Sequence, residues 1–487
     1  MRHMLFTSPN PCGSFLFTAC ILLLSGCTPK EQAYKSAAVP AESSPVPDEA
    51  IPVSLLESIA DSMANNYITA GDVPGMTVAI AREGKVIFSR SYGKADVEMD
   101  VAAGPETVYN IASVTKQFTA AAIMRLVEAE KISLDDPLTK YLPDYPTQGH
   151  HVTLRHLLTH TSGIRDYTLR NEAMPNWFAL DLSYKDMIVL WGNRPFDFKP
   201  GEGYDYCNMG YYLLGQVIEK VTGTPWADYA EPQLLQPLGL RHIFFNDLKR
   251  VIPNRAEGYL HEGEKLINVP YRNLRVFSAG GGLCSTVGDL IRWTYLLHNG
   301  QVVSPESLRQ MTTPTVLASG DTVGYGYGLY INETGGHRKI YHGGTFGFGA
   351  YLSHYPEDGL TIGILSNSSK GRERAEQLET ALARAALNVV VQDLPVSNEE
   401  IVRYEGVYTY QSTPTKMREL RVFSEDGQLK AQFGNGRALR LRSQGNHYFI
   451  PEKVDDMRIA FNVENGRAES LQIHEGRWEV TPAKRKL

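Results

Sequence analysis

Tyr109-Asn110-Ile111-Ala112-Ser113-Val114-Thr115-Lys116-Gln117-Phe118-Thr119-Ala120-Ala121-Ala122 passes from a strand-like approach into an Ala-rich run. Ile123, Met124, Leu126 and Val127 continue that run with helical spacing. Ser113 stands where the helix should begin. Lys116 is three residues on, so one helical turn brings its amine over the serine hydroxyl. A serine is a poor nucleophile until a neighbouring base takes its proton. A lysine can be that base only when neutral, which requires burial or other positive charge nearby. The helix start adds a partial positive charge and unbonded N–H groups, which suit a developing oxyanion. Ser113 also reads as a plain helix N-cap. A second S-x-x-K match, Ser91-Tyr92-Gly93-Lys94, follows a strand pattern and runs into a glycine, so it reads as a turn.

The 487 residues suggest two to four domains, and 43% hydrophobic with 21% charged residues describes an ordinary globular protein. A net charge of −6 without a long basic run argues against a nucleic-acid partner. Lys484-Arg485-Lys486 reads as a solvated tail. Of the five cysteines, Cys12, Cys20 and Cys27 fall in the first stretch, leaving Cys207 and Cys284 in the body. That is too few for a disulfide scaffold, and no close pair suggests a zinc site. No metal and no cofactor is expected.

Arg2 and the apolar run from Phe15 to Leu24 have the form of a secretion signal, too short to span a bilayer. The run ends in Leu24-Ser25-Gly26-Cys27, which resembles a bacterial lipobox. The resemblance implies a signal peptide over 1–26, cleavage before Cys27 and lipidation of its thiol. The alternative is an ordinary signal peptide with an incidental cysteine. Thr28 follows, where an Asp would resemble an inner-membrane retention signal. The expected location is therefore the cell envelope, lipid-anchored in the outer membrane and facing the periplasm. Residues 27–50, rich in Pro, Ala, Ser and Glu, cannot bury a core and read as a flexible tether.

Pro52 to Ala70 has helical spacing, and Met76–Ala81 with Lys85–Ser91 forms a β-hairpin. Thr153 to Gly163 reads as a helix stopped by the glycine. Within it His156 and His160 could share a face, but a metal would need further ligands. His160, Ser162 and Asp166 are crowded into one turn, and no G-x-S-x-G elbow occurs, which argues against a triad. Pro200-Gly201 makes a turn before a helix with Tyr211, Leu214, Val217 and Ile218 on its buried face. Ala279-Gly280-Gly281-Gly282 lacks the phosphate-loop pattern and reads as a close-packed turn into a helix from Val287 to His298. Arg338 to Asn367 reads as three strands, the first carrying Tyr341-His342-Gly343-Gly344-Thr345, and Arg372 to Gln392 as a closing amphipathic helix. From about Glu400, alternating runs are separated by turns such as Asp426-Gly427 and Asn465-Gly466. They indicate an antiparallel meander closing into a small barrel.

Three motifs together resemble the serine β-lactamase and penicillin-binding-protein superfamily, in its class C, D,D-peptidase and esterase branch. They are S-x-x-K at Ser113–Lys116, Y-x-N at Tyr206–Asn208 and H-x-G at His342–Gly344. Y-x-N recurs at Tyr271-Arg272-Asn273 and Tyr330-Ile331-Asn332. Only Tyr206 has the Pro-Gly-Glu turn before it and the Gly-Tyr-x-Leu-Leu-Gly helix after it. Leu157 to Gly163 also looks like the family's, and the match covers roughly Val53 to Gln392. The resemblance implies an α+β catalytic domain over 51–395. Its antiparallel sheet is flanked by helices and built from both ends of the domain. A helical lobe is inserted between them, and a cleft lies at the junction, with His342 on an edge strand. A lipocalin-like antiparallel barrel would occupy 400–487.

The resemblance also implies roles. Ser113 would attack a carbonyl and form an acyl-enzyme, with Lys116 and Tyr206 sharing the part of base. Asn208 would hold the substrate amide or the lysine. Backbone N–H groups of Ser113 and Thr345 would form the oxyanion hole beside Gly344. His342, where many relatives have lysine, would relay protons, orient Tyr206, or be structural. Gly343 replaces the usual Thr or Ser. Both departures weaken the grip on a substrate carboxylate and count against efficient β-lactam hydrolysis. Cys207, inside Y-x-N, is a bystander or a disulfide partner of Cys284. The leading reading is a serine hydrolase of esters, amides or peptides, D-amino-acid peptides and β-lactams included. A penicillin- or muropeptide-binding protein with little turnover is the alternative, and an adhesion role of the barrel is a third reading. Expected partners are a small-molecule or peptide acyl substrate and the lipid bilayer. The sequence leaves the oligomeric state open.

Overall fold

Gly75–Arg82 (β1) is small or apolar at almost every position and buried on both faces, the pattern of an interior strand. The computed structural model describes residues 52–168, 177–247, 249–413, 416–452, 454, 457–475 and 479–486. The expected signal peptide, the Cys27 lipidation site and the tether lie outside the described residues.

β1 turns back at Glu83-Gly84 into Lys85–Asp96 (β2), which pairs at its end with Val101–Ala102 (β3). Four later strands complete the sheet: Tyr330–Thr334 (β4), His337–Thr345 (β5), Gly349–Tyr355 (β6) and Leu360–Ser366 (β7). The order is β4-β5-β6-β7-β1-β2-β3, antiparallel throughout. Met76 pairs with Ser366, so the two ends of the module meet in mid-sheet. One face is covered by Val53–Thr69 (α1) and Gly371–Ala386 (α6), which bury Leu56, Ala60, Leu378 and Leu382 against Val78, Ile80, Ile362 and Ile364.

The other face carries the inserted helical lobe: Lys116–Glu128 (α2), Leu154–Leu158 (α3), Asn208–Thr222 (α4) and Val287–His298 (α5). α2 is buried from Lys116 through Met124, around its whole circumference, so it runs through the centre of the lobe. Among the described residues no helix is long and apolar enough to cross a membrane.

Downstream, Asn398–Tyr404 (α7) leads into a closed eight-stranded antiparallel barrel running from Gly406–Thr413 to Glu479–Arg485. Its interior is filled by Tyr408, Leu420, Val422, Phe449, Ile459, Phe461 and Leu471, with Ile401 and Tyr404 of α7 packed in. Arg458 of the barrel reaches Glu333 of β4 at 2.6 Å, and Leu394 N–H donates to Ser443 O at 3.0 Å.

Four local expectations are corrected, and one choice left open, that of Cys207, is resolved toward the bystander. Ser91–Lys94 is not a turn but part of β2, where Gly93 takes φ +68° and pairs with Gly75. The helix before Gly163 ends at Leu158, because His160 takes φ +58°. The closing helix stops at Ala386 because Asn388 turns left-handed, leaving Val389–Val391 outside. His342 is not on an edge strand, since β4 covers β5. Cys207 and Cys284 are both free and buried: Cys207 Sγ bonds Ile164 O at 3.1 Å, and Cys284 packs with Val108 and Ile252.

Candidate active site

The turn that carries Ser113 is tightly determined. Asn110 Oδ1 accepts the Ala112 N–H at 2.7 Å, and Ala112 adopts φ +45°, a region L-residues avoid. A single 3-10 turn, Ala112–Thr115, then feeds α2, so Ser113 precedes the α-helix and makes no side-chain cap. β5 presses on this turn. A Cβ at Gly344 would fall 2.3 Å from Ile111 O and 3.1 Å from Ser113 N, so only glycine fits there.

Lys116 is fully buried beneath the turn. Its Nζ lies 3.3 Å from Ser113 Oγ, 2.8 Å from Asn208 Oδ1 and 2.9 Å from Gly280 O. It also sits over the Tyr206 ring, 4.7 Å from the centroid. Burial brings the amine down to about 7, although the Asp166 charge pulls the other way. Among the described residues no carboxylate forms an ion pair with it. Protonated, Nζ has three N–H groups for three oxygens. Neutral, it keeps two for the amide oxygens and has a lone pair left for the serine proton.

Asp166 sets the position of Asn208. Its Oδ1 accepts the N–H groups of Asn208 and Met209 at 3.0 and 3.3 Å, capping α4, and its Oδ2 accepts Asn208 Nδ2 at 3.1 Å. With Nδ2 held on that side, Asn208 Oδ1 faces Lys116. The crowded trio read from the sequence is dispersed: His160 Nδ1 accepts from Cys207 N, Ser162 Oγ accepts from Ile164 N, and Asp166 serves α4. His156 Nδ1 closes a capping box with Thr153.

Tyr206 Oη is buried and has no hydrogen-bond partner of normal geometry among the described residues. Burial pushes the phenol well above 10 and Tyr330 adds to this, while the Ser113 hydroxyl acts in the opposite sense as a hydrogen-bonding neighbour. Tyr206 therefore holds its proton and can pass one on, but does not begin as a phenolate.

His342 is buried with both ring nitrogens occupied. Nδ1–H donates to Gly343 O at 2.7 Å, and Nε2 accepts from Tyr325 Oη at 3.1 Å. Burial, then the Lys116 charge, pushes it down to about 3, so it is neutral. Its ring packs 6.1 Å from that of Tyr206. Of the parts the resemblance offered, this geometry favours packing over a proton relay.

Ser113, Tyr206, Asn208, His342, Gly344 and Thr345 all line one cleft of about 970 Å³. Residues 59–387 match the family model described as Beta-lactamase. The chain belongs to the beta-lactamase family. It is 29% identical over 432 residues to a penicillin-binding protein of Bacillus subtilis strain 168, covering 82% of this chain and 92% of that protein. It is 28% identical over 319 residues to protein flp of Staphylococcus aureus strain MW2, covering 63% of this chain and 62% of that protein. The octameric penicillin-binding protein homologue from Pyrococcus abyssi superposes with a TM-score of 0.61 at 26% identity, covering 89% of this chain and all of that one.

Around this beta-lactamase-family cleft, the structure adds residues to which the sequence reading gave no part in the site. Asp166 is one. Gly280, seen only as part of a glycine run, supplies a carbonyl to Lys116. Arg272, Arg372 and an aromatic wall that includes Trp177, Phe178 and Phe277 are the others. Arg272 and Tyr330 belong to the two Y-x-N matches set aside, and both reach the cleft by tertiary packing. No sequence signal marks Arg372.

Proposed function

We propose that this protein is a serine hydrolase working through an acyl-enzyme on Ser113. The observation that carries the reading is Lys116, buried against Ser113 Oγ with a pKa brought down to about 7 and, among the described residues, no carboxylate in contact. Such an amine is neutral in half its molecules near physiological pH and is poised to take the serine proton. In the proposed step, the Ser113 Oγ–carbonyl carbon bond forms as the proton passes to Lys116 Nζ. The oxyanion faces the N–H groups of Ser113 and Thr345. The bond to the leaving group then breaks, and the proton travels from Lys116 through Tyr206 Oη to that group. Water deacylates the enzyme by the reverse route, with Lys116 again the base.

Esters, amides and peptides, D-amino-acid peptides and β-lactams among them, are the proposed substrates. The name of the Bacillus subtilis relative makes a penicillin the first probe. A second reading, a stable penicillin adduct with little turnover, is favoured by the neutral His342 and by Gly343. Time-resolved intact mass of lipid-free protein from Ser36 onward, mixed with a penicillin, separates the two. An adduct on Ser113 that appears and decays supports the hydrolase, and one that persists supports the binding protein. Absence of a penicillin adduct together with no turnover of an ester and D-peptide panel overturns both.

We further propose a split into a catalytic domain over 51–395 and a barrel over 400–487, and a lipid anchor at Cys27 holding the protein to the outer membrane. Cys27→Ser should move the protein from the membrane fraction to the soluble periplasmic fraction. Unchanged fractionation would rule the anchor out.

A further inference from the structure

Arg272 is an expensive residue. Its guanidinium lies 3.8 Å from the Phe346 ring centroid and 5.0 Å from that of Phe178, held between the two faces. Its Nε is buried without a hydrogen-bond partner, and among the described residues no carboxylate pairs with it. Burial lowers its pKa, the direction expected of a cation short of compensation. No Asp or Glu lines the cleft among the described residues, while Arg272 and Arg372 both do. The chain as a whole carries −6, so this local excess of positive charge runs against the global balance.

The two guanidiniums meet the strand that passes Ser113 differently. Along β5, Gly344 faces the Ser113 turn. Arg372 lies beside Gly343, where an added Cβ would come 2.8 Å from its Nε. Arg272 lies over Phe346, on the other side of Thr345. The proton for the leaving group comes from Lys116 and Tyr206, and Tyr206 packs against His342. The leaving group therefore occupies the His342 end. The acyl arm, which stays on Ser113, extends toward Phe346 and Arg272.

We infer that Arg272, clamped by Phe178 and Phe346, forms a subsite for a carboxylate on the acyl arm of the substrate, so that the preferred acyl donors are anionic. This rests on the hydrolase reading for its direction along the cleft. A carboxylate there supplies a counter-charge that no described residue gives, and the terminal nitrogens offer it charge-assisted hydrogen bonds.

The test uses two esters that differ only in a terminal carboxylate against a methyl: 4-nitrophenyl hydrogen glutarate and 4-nitrophenyl pentanoate. In the native enzyme kcat/KM should favour the glutarate by about tenfold or more. Arg272→Met should cost the glutarate about 10- to 100-fold and leave the pentanoate within about twofold, with Arg272→Lys between. Equal values for the two esters, or a ratio that Arg272→Met does not change, overturns the subsite. A parallel measurement is independent of turnover: binding of monomethyl glutarate and dimethyl glutarate to the Ser113→Ala protein by calorimetry, with and without Arg272→Met. Tighter binding of the monoester that vanishes in the Arg272 variant sustains the subsite even if neither nitrophenyl ester is cleaved, a result that would count against the hydrolase reading alone. Equal binding of the two esters to both proteins overturns the subsite.

Discussion

Lys116 and Lys339 are both buried, on opposite faces of the same module, and they have been treated in opposite ways. Lys339, on β5 against α6, donates to Glu379 Oε2 at 2.6 Å. Glu379 Oε1 also accepts Ser353 Oγ at 2.6 Å and Tyr355 Oη at 2.8 Å, and Tyr355 Oη meets Thr334 Oγ1. Every member of that network is answered, so the charge is cement between strand and helix. Among the described residues Lys116 meets a hydroxyl, two amide oxygens and the rings of Tyr206 and Tyr211. The nearby carboxylate, Asp166, spends its hydrogen bonds on Asn208 and Met209 instead. Burial alone does not make a lysine a base. Burial with the counter-charge held out of contact lowers its pKa and makes it a candidate for one.

The sharpest way to break this comparison is to remove each amine in turn. Lys116→Met should slow acylation by any acyl substrate about 10³-fold or more, since the serine loses its base. Its urea midpoint should hold or rise, because a desolvated amine gives way to an apolar chain of similar length. Lys339→Met should do the reverse. It strands Glu379 without its cation at a cost of about 3–5 kcal/mol, while each folded molecule keeps its activity. Denaturation curves and burst amplitudes on both variants decide the matter. A Lys116 variant as unstable as the Lys339 variant would mean that both lysines are structural.

How much of this was legible in the sequence follows from the range of the interactions. The S-x-x-K turn, the strand–helix order and the closed barrel are carried by residues within a turn or two of each other, so periodicity and turn residues report them. The family's three motifs fixed which distant segments meet. What stayed hidden was set by contacts across the chain. Asp166 caps α4 from 42 residues away. The loss of charge on His342 follows from burial and from the Lys116 charge, neither visible in His-Gly-Gly. The helix limit at Asn388 was missed because Val389-Val390-Val391 prolonged an apolar pattern that the backbone does not follow.

The same comparison is sharpened by pH. Lys116 must be neutral to act, so the acylation rate should climb with pH through about 7. His342, pushed down to about 3, should add no limb near neutrality. Because the folded pKa of Lys116 lies below its unfolded 10.5, the unfolded chain binds the extra proton, and stability should increase from pH 7 toward 10.5. Asp166→Asn removes the charge that raises Lys116, so the acid limb should move to lower pH, and kcat should fall about tenfold as Asn208 loses its anchor. A limb that stays in place would separate Asp166 from the titration of Lys116 and leave it only a helix cap. His342→Gln should shift no limb and cost less than about tenfold, since a packed neutral ring is lost and not a titrating group.

The smallest effect is expected where the barrel meets the catalytic module. Arg458 and Glu333 form a single ion pair at 2.6 Å, with the Arg458 side chain 39% and the Glu333 side chain 11% exposed. A pair that wet is worth about 1 kcal/mol or less. Glu333 shares β4 with Tyr330, whose ring lies parallel to that of Tyr206 at 6.4 Å, so the pair is a direct mechanical route from the barrel to the cleft. Arg458→Ala should therefore shift the urea midpoint barely and change kcat/KM less than about threefold. A much larger loss of kcat/KM with an unchanged midpoint would show that β4 needs the barrel to hold Tyr330 in place. The contrast between a buried lysine paired with its counter-charge and one held apart from it would then extend to a third element, a strand whose position is set from outside the module.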